Sequence, residues 1–414
     1  MRDTRHRVVI TGMGAVSPFG VGVPVLWESL LRGDTAVSVC EMLQAMEGMR
    51  THVAALVPEI DARSIDRKKR RYMSNMSIYA TVAAREACAA AGLDESVLAS
   101  PRTGVCVGST TGSTQETEEF FESFVLERSL DWMKSTHFFK IMNHSCASNL
   151  AQALGVRGRV LAPSAACATG TVAAGTAAEV IALGRQDVMV CGGADELHPL
   201  TVAVFDTLEA SSTGYNERAD ETPRPFDRDR DGIVCGEGAG IVVLENMEHA
   251  MSRGADILGE VRGFALSNSP ESVAHPSVSS MASCLRLALE DAEVAADAVD
   301  YVNAHATATL HGDVAEACAI AEAIGDACPV SSLKGHLAHT MAASGVLELI
   351  ATLRMMRENV VIPTRNLTNI DKKCAAVELP VEPRSAELSC IVKNSFALGG
   401  VNSTLVVCKG AYDG

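Results

Sequence analysis

The chain reads as an α/β fold with a largely parallel sheet, and three observations point there. Strand-like apolar runs alternate with helix-like ones from end to end, the order that βαβ units produce. With 414 residues, 47% of them hydrophobic, the chain can build one large fold from two halves that share a core. No low-complexity linker or short repeat interrupts the alternation. Its mildest break, near Ala250–Asp256, divides the chain into halves 1–253 and 254–414.

Taken in order, the predicted strands are Arg7–Thr11, Gly104–Gly108, Asp187–Gly192, Gly240–Leu244, Val299–Asn303, Ser389–Lys393 and Thr404–Val407. Each is a short apolar run rich in β-branched residues or bounded by glycine and polar residues. The predicted helices are Ser77–Ala91, Gly170–Leu183, Ser279–Glu290, Asp313–Ile324 and Ala342–Glu358, longer stretches with few breakers.

Composition excludes several function classes. A net charge of −16 makes the chain a poor general binder of nucleic acid, so an acidic partner must meet a local basic patch. The 13 cysteines are scattered with no Cys-x-x-Cys, which argues against zinc and redox-pair chemistry and for reduced thiols. No apolar run of 18 residues occurs, and Met1–Arg7 leads straight into a strand, so a cytoplasmic protein without a membrane span is expected. Gly12-Met13-Gly14 lacks the third glycine of a dinucleotide fingerprint, Ser17 standing there, and reads as a plain turn. Asp227–Gly232 imitates a calcium loop, but Gly238 occupies the position of the closing glutamate. Arginines between the aspartates make it an ion-paired structural loop instead.

Chemistry concentrates at three places. Cys167, in Ala165–Gly170, lies between a strand-like run and an alanine-rich helix, so it falls at a helix N-terminus, where unpaired N–H groups and the dipole favour a thiolate. Taken alone such a cysteine is a small buried hydrophobe. His305 follows a buried-looking strand, at the end where open α/β sheets bind ligands. His339 ends Lys334–His339, a loop entering the last long helix; either histidine alone reads as structural. Asn394–Asn402 is a glycine-bearing turn able to bring backbone N–H groups to a ligand oxygen.

Together Ala165–Gly170, Asn303–Asp313, Lys334–His339 and Asn394–Asn402 resemble the Cys-His-His ketosynthases, the condensing β-ketoacyl-acyl-carrier-protein synthases. Ile65–Lys68, Ser77–Ala80, Phe205–Leu208 and Arg224–Gly232 look closest to the elongating bacterial type I synthase. The resemblance implies a thiolase-like fold, two similar α/β halves forming a five-layered αβαβα core, with Cys167 on the first half and both histidines on the second. It implies decarboxylative Claisen condensation: Cys167 takes an acyl group as a thioester, and His305 and His339 hold the malonyl thioester oxygen while the enolate forms. By the same resemblance the backbone N–H groups of Cys167 and Leu398 make a second oxyanion hole. Glu316 is implied as the acidic partner of Lys334, the two organising the histidine loop. Thr307 and Thr309 are implied to hold the phosphopantetheine arm of acyl carrier protein, and no bound cofactor or metal is implied.

Departures from the family pattern bear on substrate. Ala306, Ala308 and Ala338 replace residues that are usually smaller or more polar, and His311 is unusual. Leu398 stands for the aromatic gate beside Phe396, and Thr111 falls where acyl length is set, which together suggest a specialised fatty-acid or polyketide pathway. The run Arg67-Lys68-Lys69-Arg70-Arg71, with Lys140, matches the carrier-docking surface. A homodimer, or a heterodimer with a related subunit, is implied. A non-catalytic chain-length-factor role is the alternative; partners of that kind lack the nucleophile that Cys167 supplies.

Overall fold

The computed structural model describes residues 5–410 except 127 and 132. The elements that position the site are strands β1 (Val8–Ser17), β2 (Thr103–Gly108), β3 (Val160–Leu161), β4 (Val188–Asp195), β5 (Gly238–Asn246), β6 (Gly259–Asn268), β7 (Tyr301–Asn303), β8 (Val330–Ser331), β9 (Cys390–Ala397) and β10 (Val401–Cys408). The principal helices are α1 (Asn75–Ala90), α2 (Thr114–Leu126), α3 (Ser135–Ile141), α4 (Ser145–Leu154), α5 (Thr169–Ala182), α6 (Val278–Ala292), α7 (Gly312–Ala323) and α8 (Ser344–Glu358).

The strands run in the order β8-β7-β9-β10-β6-β1-β5-β4-β2-β3. Two five-stranded portions meet where Val8–Ile10 of β1 pairs with Gly259–Val261 of β6. Helices α1 and α4 cover one portion and α6 covers the other with α7 packed on it, while α5 and α8 lie between the portions, giving the five layers α-β-α-β-α. The central helices owe their place to composition. Ten of the 14 residues of α5 and 12 of the 15 of α8 are buried, so neither has a polar face to give to water.

The sheet is mixed, which corrects the largely parallel expectation. Its outer pairs β8-β7, β7-β9, β4-β2 and β2-β3 are parallel, but the pairs through its middle are antiparallel. The cause is connection length: β9 and β10 are joined by Leu398-Gly399-Gly400 alone, and a three-residue turn can only return antiparallel. Strand β6 was not anticipated, because Glu260 and Arg262 interrupt its apolar run where a boundary was read.

Gly12 and Gly14 lie within β1 rather than in a turn. A Cβ at Gly14 would stand 1.9 Å from the Ala83 carbonyl oxygen and one at Gly12 2.2 Å from that of Ala87. The glycines therefore let α1 rest directly on the strand. The Asp227 loop is held as expected: Asp227 accepts the N–H groups of Asp229, Thr368 and Asn369, and Arg230 pairs with Asp371 at 2.8 Å. Cys390 and Cys408 face each other across β9 and β10 with their sulfurs 2.8 Å apart, a pairing that sequence spacing could not reveal. Among the described residues no helix is long and apolar enough to cross a membrane.

Candidate active site

The N-terminus of α5 points into the middle of the molecule. Ala166–Ala168 form one 3-10 turn ahead of it, with Ala166 at φ 46°, so Cys167 stands on a tight corner rather than within the helix. Thr169 Oγ1 closes the corner, accepting the Ala165 N–H at 2.8 Å and donating to the Ala166 carbonyl at 2.7 Å.

His339 is brought to this corner by close backbone approach. A Cβ at Gly170 or Gly193 would fall 2.5 or 2.1 Å from the Ala342 carbonyl oxygen, and Asp195 accepts the Ala342 N–H at 2.8 Å. The His339 backbone donates to Val234 and accepts from Gly236, and its Nδ1 lies 3.0 Å from Ser344 Oγ. Ala338 before it takes φ 57° and ψ −168°, a region that suits glycine, which is the residue the ketosynthase pattern has there.

His305 leaves the end of β7. Glu316, on α7, accepts the N–H groups of His305 at 2.8 Å and Ala306 at 2.7 Å, and the Asn394 side-chain amide at 3.2 Å. It thus joins the His305 loop to β9. Glu316 is not the direct partner of Lys334: that ammonium lies 2.7 Å from Glu348 Oε1 on α8, in a site with no exposure. Sequence reading assigned the organising role of Glu316 but missed Glu348, whose burial inside a helix carries no local signature.

The structure gathers Cys167, His305 and His339 so that one ligand atom from each lies within 4.8 Å of the others. The imidazoles meet edge to face, centroids 5.3 Å apart. All three side chains are buried, yet His305 Nδ1 and His339 Nε2 have no partner. Unpaired buried polar atoms are costly, and imidazoles that keep nitrogens unspent beside a cysteine suit a site that receives a substrate oxygen. Burial, followed by the charge of Lys334, holds both histidines well below their ordinary range, with Lys393 adding to the effect, so the rings are neutral at physiological pH.

Cys167 departs from expectation. Burial pushes its thiol up to about 11, and the opposing pull of Lys334 and of the N–H groups of Cys167 and Leu398 offsets this only in part. The resting group is a thiol rather than the thiolate read from the helix end, so its proton must leave as the sulfur attacks. The Cys167 and Leu398 N–H groups both lie close enough to the sulfur to act on it.

A cavity of about 470 Å³ leads to the trio. Thr307, Thr309, Phe396 and Leu398 line it, with His275 and His311 toward Leu310. Thr111 does not line it: this threonine is exposed, in the turn beyond the end of β2, with its hydroxyl 3.5 Å from that of Thr114. Lys140, matched to the docking surface, is paired within the chain. Glu116 holds its ammonium at 2.6 Å and leaves the side chain only 16% exposed. Arg67, Lys68 and Arg71 are exposed, on and beside the short helix Arg67–Arg70 that Asp66 caps.

Comparison with known proteins agrees with this geometry. Residues 5–250 match the family described as "Beta-ketoacyl synthase, N-terminal domain", and residues 258–368 match its C-terminal domain. The 3-oxoacyl-[acyl-carrier-protein] synthase 1 of Escherichia coli (strain K12) is 35% identical over 405 residues, 97% of this chain and 99% of that protein. The crystal structure of a beta-ketoacyl synthase from Burkholderia phymatum STM815 superposes with a TM-score of 0.95 at 41% identity, covering 98% of this chain and all of that one. A type II polyketide ketosynthase solved in complex with its acyl-carrier protein superposes at 0.90 and 30% identity, covering 98% of this chain and 100% of that one. With its fold, its buried cysteine and its two unpaired imidazole nitrogens, the chain belongs to the β-ketoacyl synthase family and is an acyltransferase that uses carrier-bound substrates.

Proposed function

We propose that Cys167 accepts the acyl group from the phosphopantetheine thiol of acyl carrier protein and that His305 and His339 then act on the malonyl-carrier substrate. In the first step the acyl carbon exchanges one sulfur for another and the carrier thiol leaves with a proton. In the second, malonyl loses carbon dioxide, both imidazoles donate to the enolate oxygen, and the enolate carbon displaces Cys167 as a thiolate, which regains its proton from water as the β-ketoacyl product leaves. The observation that carries this reading is the buried trio itself, in which one atom each of Cys167, His305 and His339 lie within 4.8 Å of one another while each imidazole keeps a nitrogen without a partner. Intact-protein mass spectrometry after incubation with a panel of acyl-carrier proteins tests it. One acyl mass is expected on Cys167 and none on Cys167→Ala; an acyl adduct on another residue overturns the assignment.

The two halves divide at 253/254, and the protein works in the cytoplasm. Leu398, 38% exposed in place of an aromatic gate, favours a specialised type II fatty-acid or polyketide pathway. The chain acts as a dimer, with itself or with a related subunit. The support is β3, the last strand of the sheet, whose outer edge is unpaired among the described residues and whose Val160 is 44% exposed. Thr111, exposed and outside this chain's own cavity, is free to serve the pocket of a partner. Lys68 and Arg71 supply the basic surface for the acidic carrier.

A further inference from the structure

Lys393 is a second buried ammonium beneath the histidines, on β9 and without exposure. Its Nζ lies 2.8 Å from Glu348 Oε2, while Lys334 Nζ lies 2.7 Å from Oε1 of the same carboxylate. One carboxylate is therefore held between two lysines. Oε2 has no well-directed hydrogen bond; the Lys393 ammonium donates to the Asn394 carbonyl, so its contact with Glu348 is chiefly one of charge. The charged and titratable groups around Lys393 are Glu348 on α8, Lys334, Glu316 on α7, and the two histidines that feel its charge; Tyr301 on β7 faces Glu348.

We propose that Lys393 is a positioning residue for the condensation, acting through Glu348, Lys334 and the histidines rather than on the substrate. Its ammonium shares Glu348 with Lys334, and Glu316, the other carboxylate of the group, binds the N–H groups of His305 and Ala306 and the Asn394 amide rather than either lysine, so both ammonium charges oppose protonation of the imidazoles and keep them oxyanion donors. Burial and the Lys334 charge act in the same direction on His305 and His339, and Lys393 adds to both. A charge within a few ångströms typically moves a neighbouring group by about 1–3 pH units.

This proposal rests on the catalytic reading above, and its test separates the two. The pH profile of malonyl-carrier-protein decarboxylation is measured for the wild type, Lys393→Met and Lys393→Gln. Met removes charge and hydrogen bonding; Gln removes charge but can still donate to Glu348 and the Asn394 carbonyl. Glu348 keeps Lys334 in both variants, so no buried carboxylate is stranded. The sign follows from a base: losing a nearby cation makes imidazolium less unfavourable, histidine pKa values rise, and activity fails at higher pH on the acid side. The expected result is an acid limb raised by roughly one pH unit in both variants. A wild-type limb in both, or wild-type behaviour restored by Gln, overturns the proposal in favour of a structural lysine. If Met does not fold, Gln decides alone. A wild type that decarboxylates nothing would instead remove the catalytic reading.

Discussion

Cys167 and the histidines perform separable tasks, because the nucleophile is one side chain and the oxyanion donors are two others. Cys167→Ala should end condensation and leave malonyl decarboxylation, measured as carbon dioxide release from malonyl-carrier protein; β-keto product from the purified variant would require another nucleophile. Removing one oxyanion donor, as in His305→Ala or His339→Ala, should lower that decarboxylation by ~10²–10³. Ser344 belongs to this scale although nothing near it in the sequence marks it. Its hydroxyl accepts the Thr340 N–H at 2.9 Å and lies 3.1 Å from Thr340 Oγ1 and 3.0 Å from His339 Nδ1, which fixes the ring and leaves Nε2 without a partner in the chain. Ser344→Ala should cost about fivefold in decarboxylation, a net hydrogen bond being worth ~1 kcal/mol. An unchanged rate would mean that packing alone orients the ring.

At the scale of elements, glycine spacing decides which layers touch. Gly14 holds α1 against β1 at a separation that leaves no room for a methyl group. Gly14→Ala should therefore destabilise by ~1–3 kcal/mol, the usual cost of overpacking, in a urea titration. The site lies elsewhere, so activity per folded molecule should stay. The helix Arg67–Arg70 is short, capped and exposed, which suits encounter rather than core packing. Reversal of Lys68 and Arg71 to Glu should raise KM for acyl-carrier protein and spare a small acyl thioester. Wild-type KM should also climb more steeply with salt than the variant's, because several weak surface contacts are screened together. Equal salt slopes would move docking to another face.

At the scale of the whole molecule, the open edge at β3 is an exposed feature that a single chain does not explain. Mass photometry should find twice 43.5 kDa, or a complex with a related subunit when co-expressed; a lone 43.5 kDa species would show that an obligate partner is missing. At this scale too the limits of sequence become visible. All five predicted helices and all seven predicted strands exist, because each is a local apolar pattern long enough to choose its own conformation. The spacing of Cys167, His305 and His339 in family-like blocks was sufficient to nominate the site. Parallel or antiparallel pairing was not legible, since it depends on which distant strand arrives beside which. Nor was the wiring of charge: Glu316 stands 18 residues before Lys334 and binds backbone N–H groups, whereas Glu348, 14 residues after it, takes the ammonium. Lys140 read as a free cation until folding set Glu116 against it. The sequence by itself determined the elements and the reactive residues, whose chemistry is intrinsic to their side chains. Only the tertiary structure decided the ionisation of Cys167, the neutrality of the histidines and the sharing of Glu348 by two lysines, because those properties come from burial and from charges brought together across the chain.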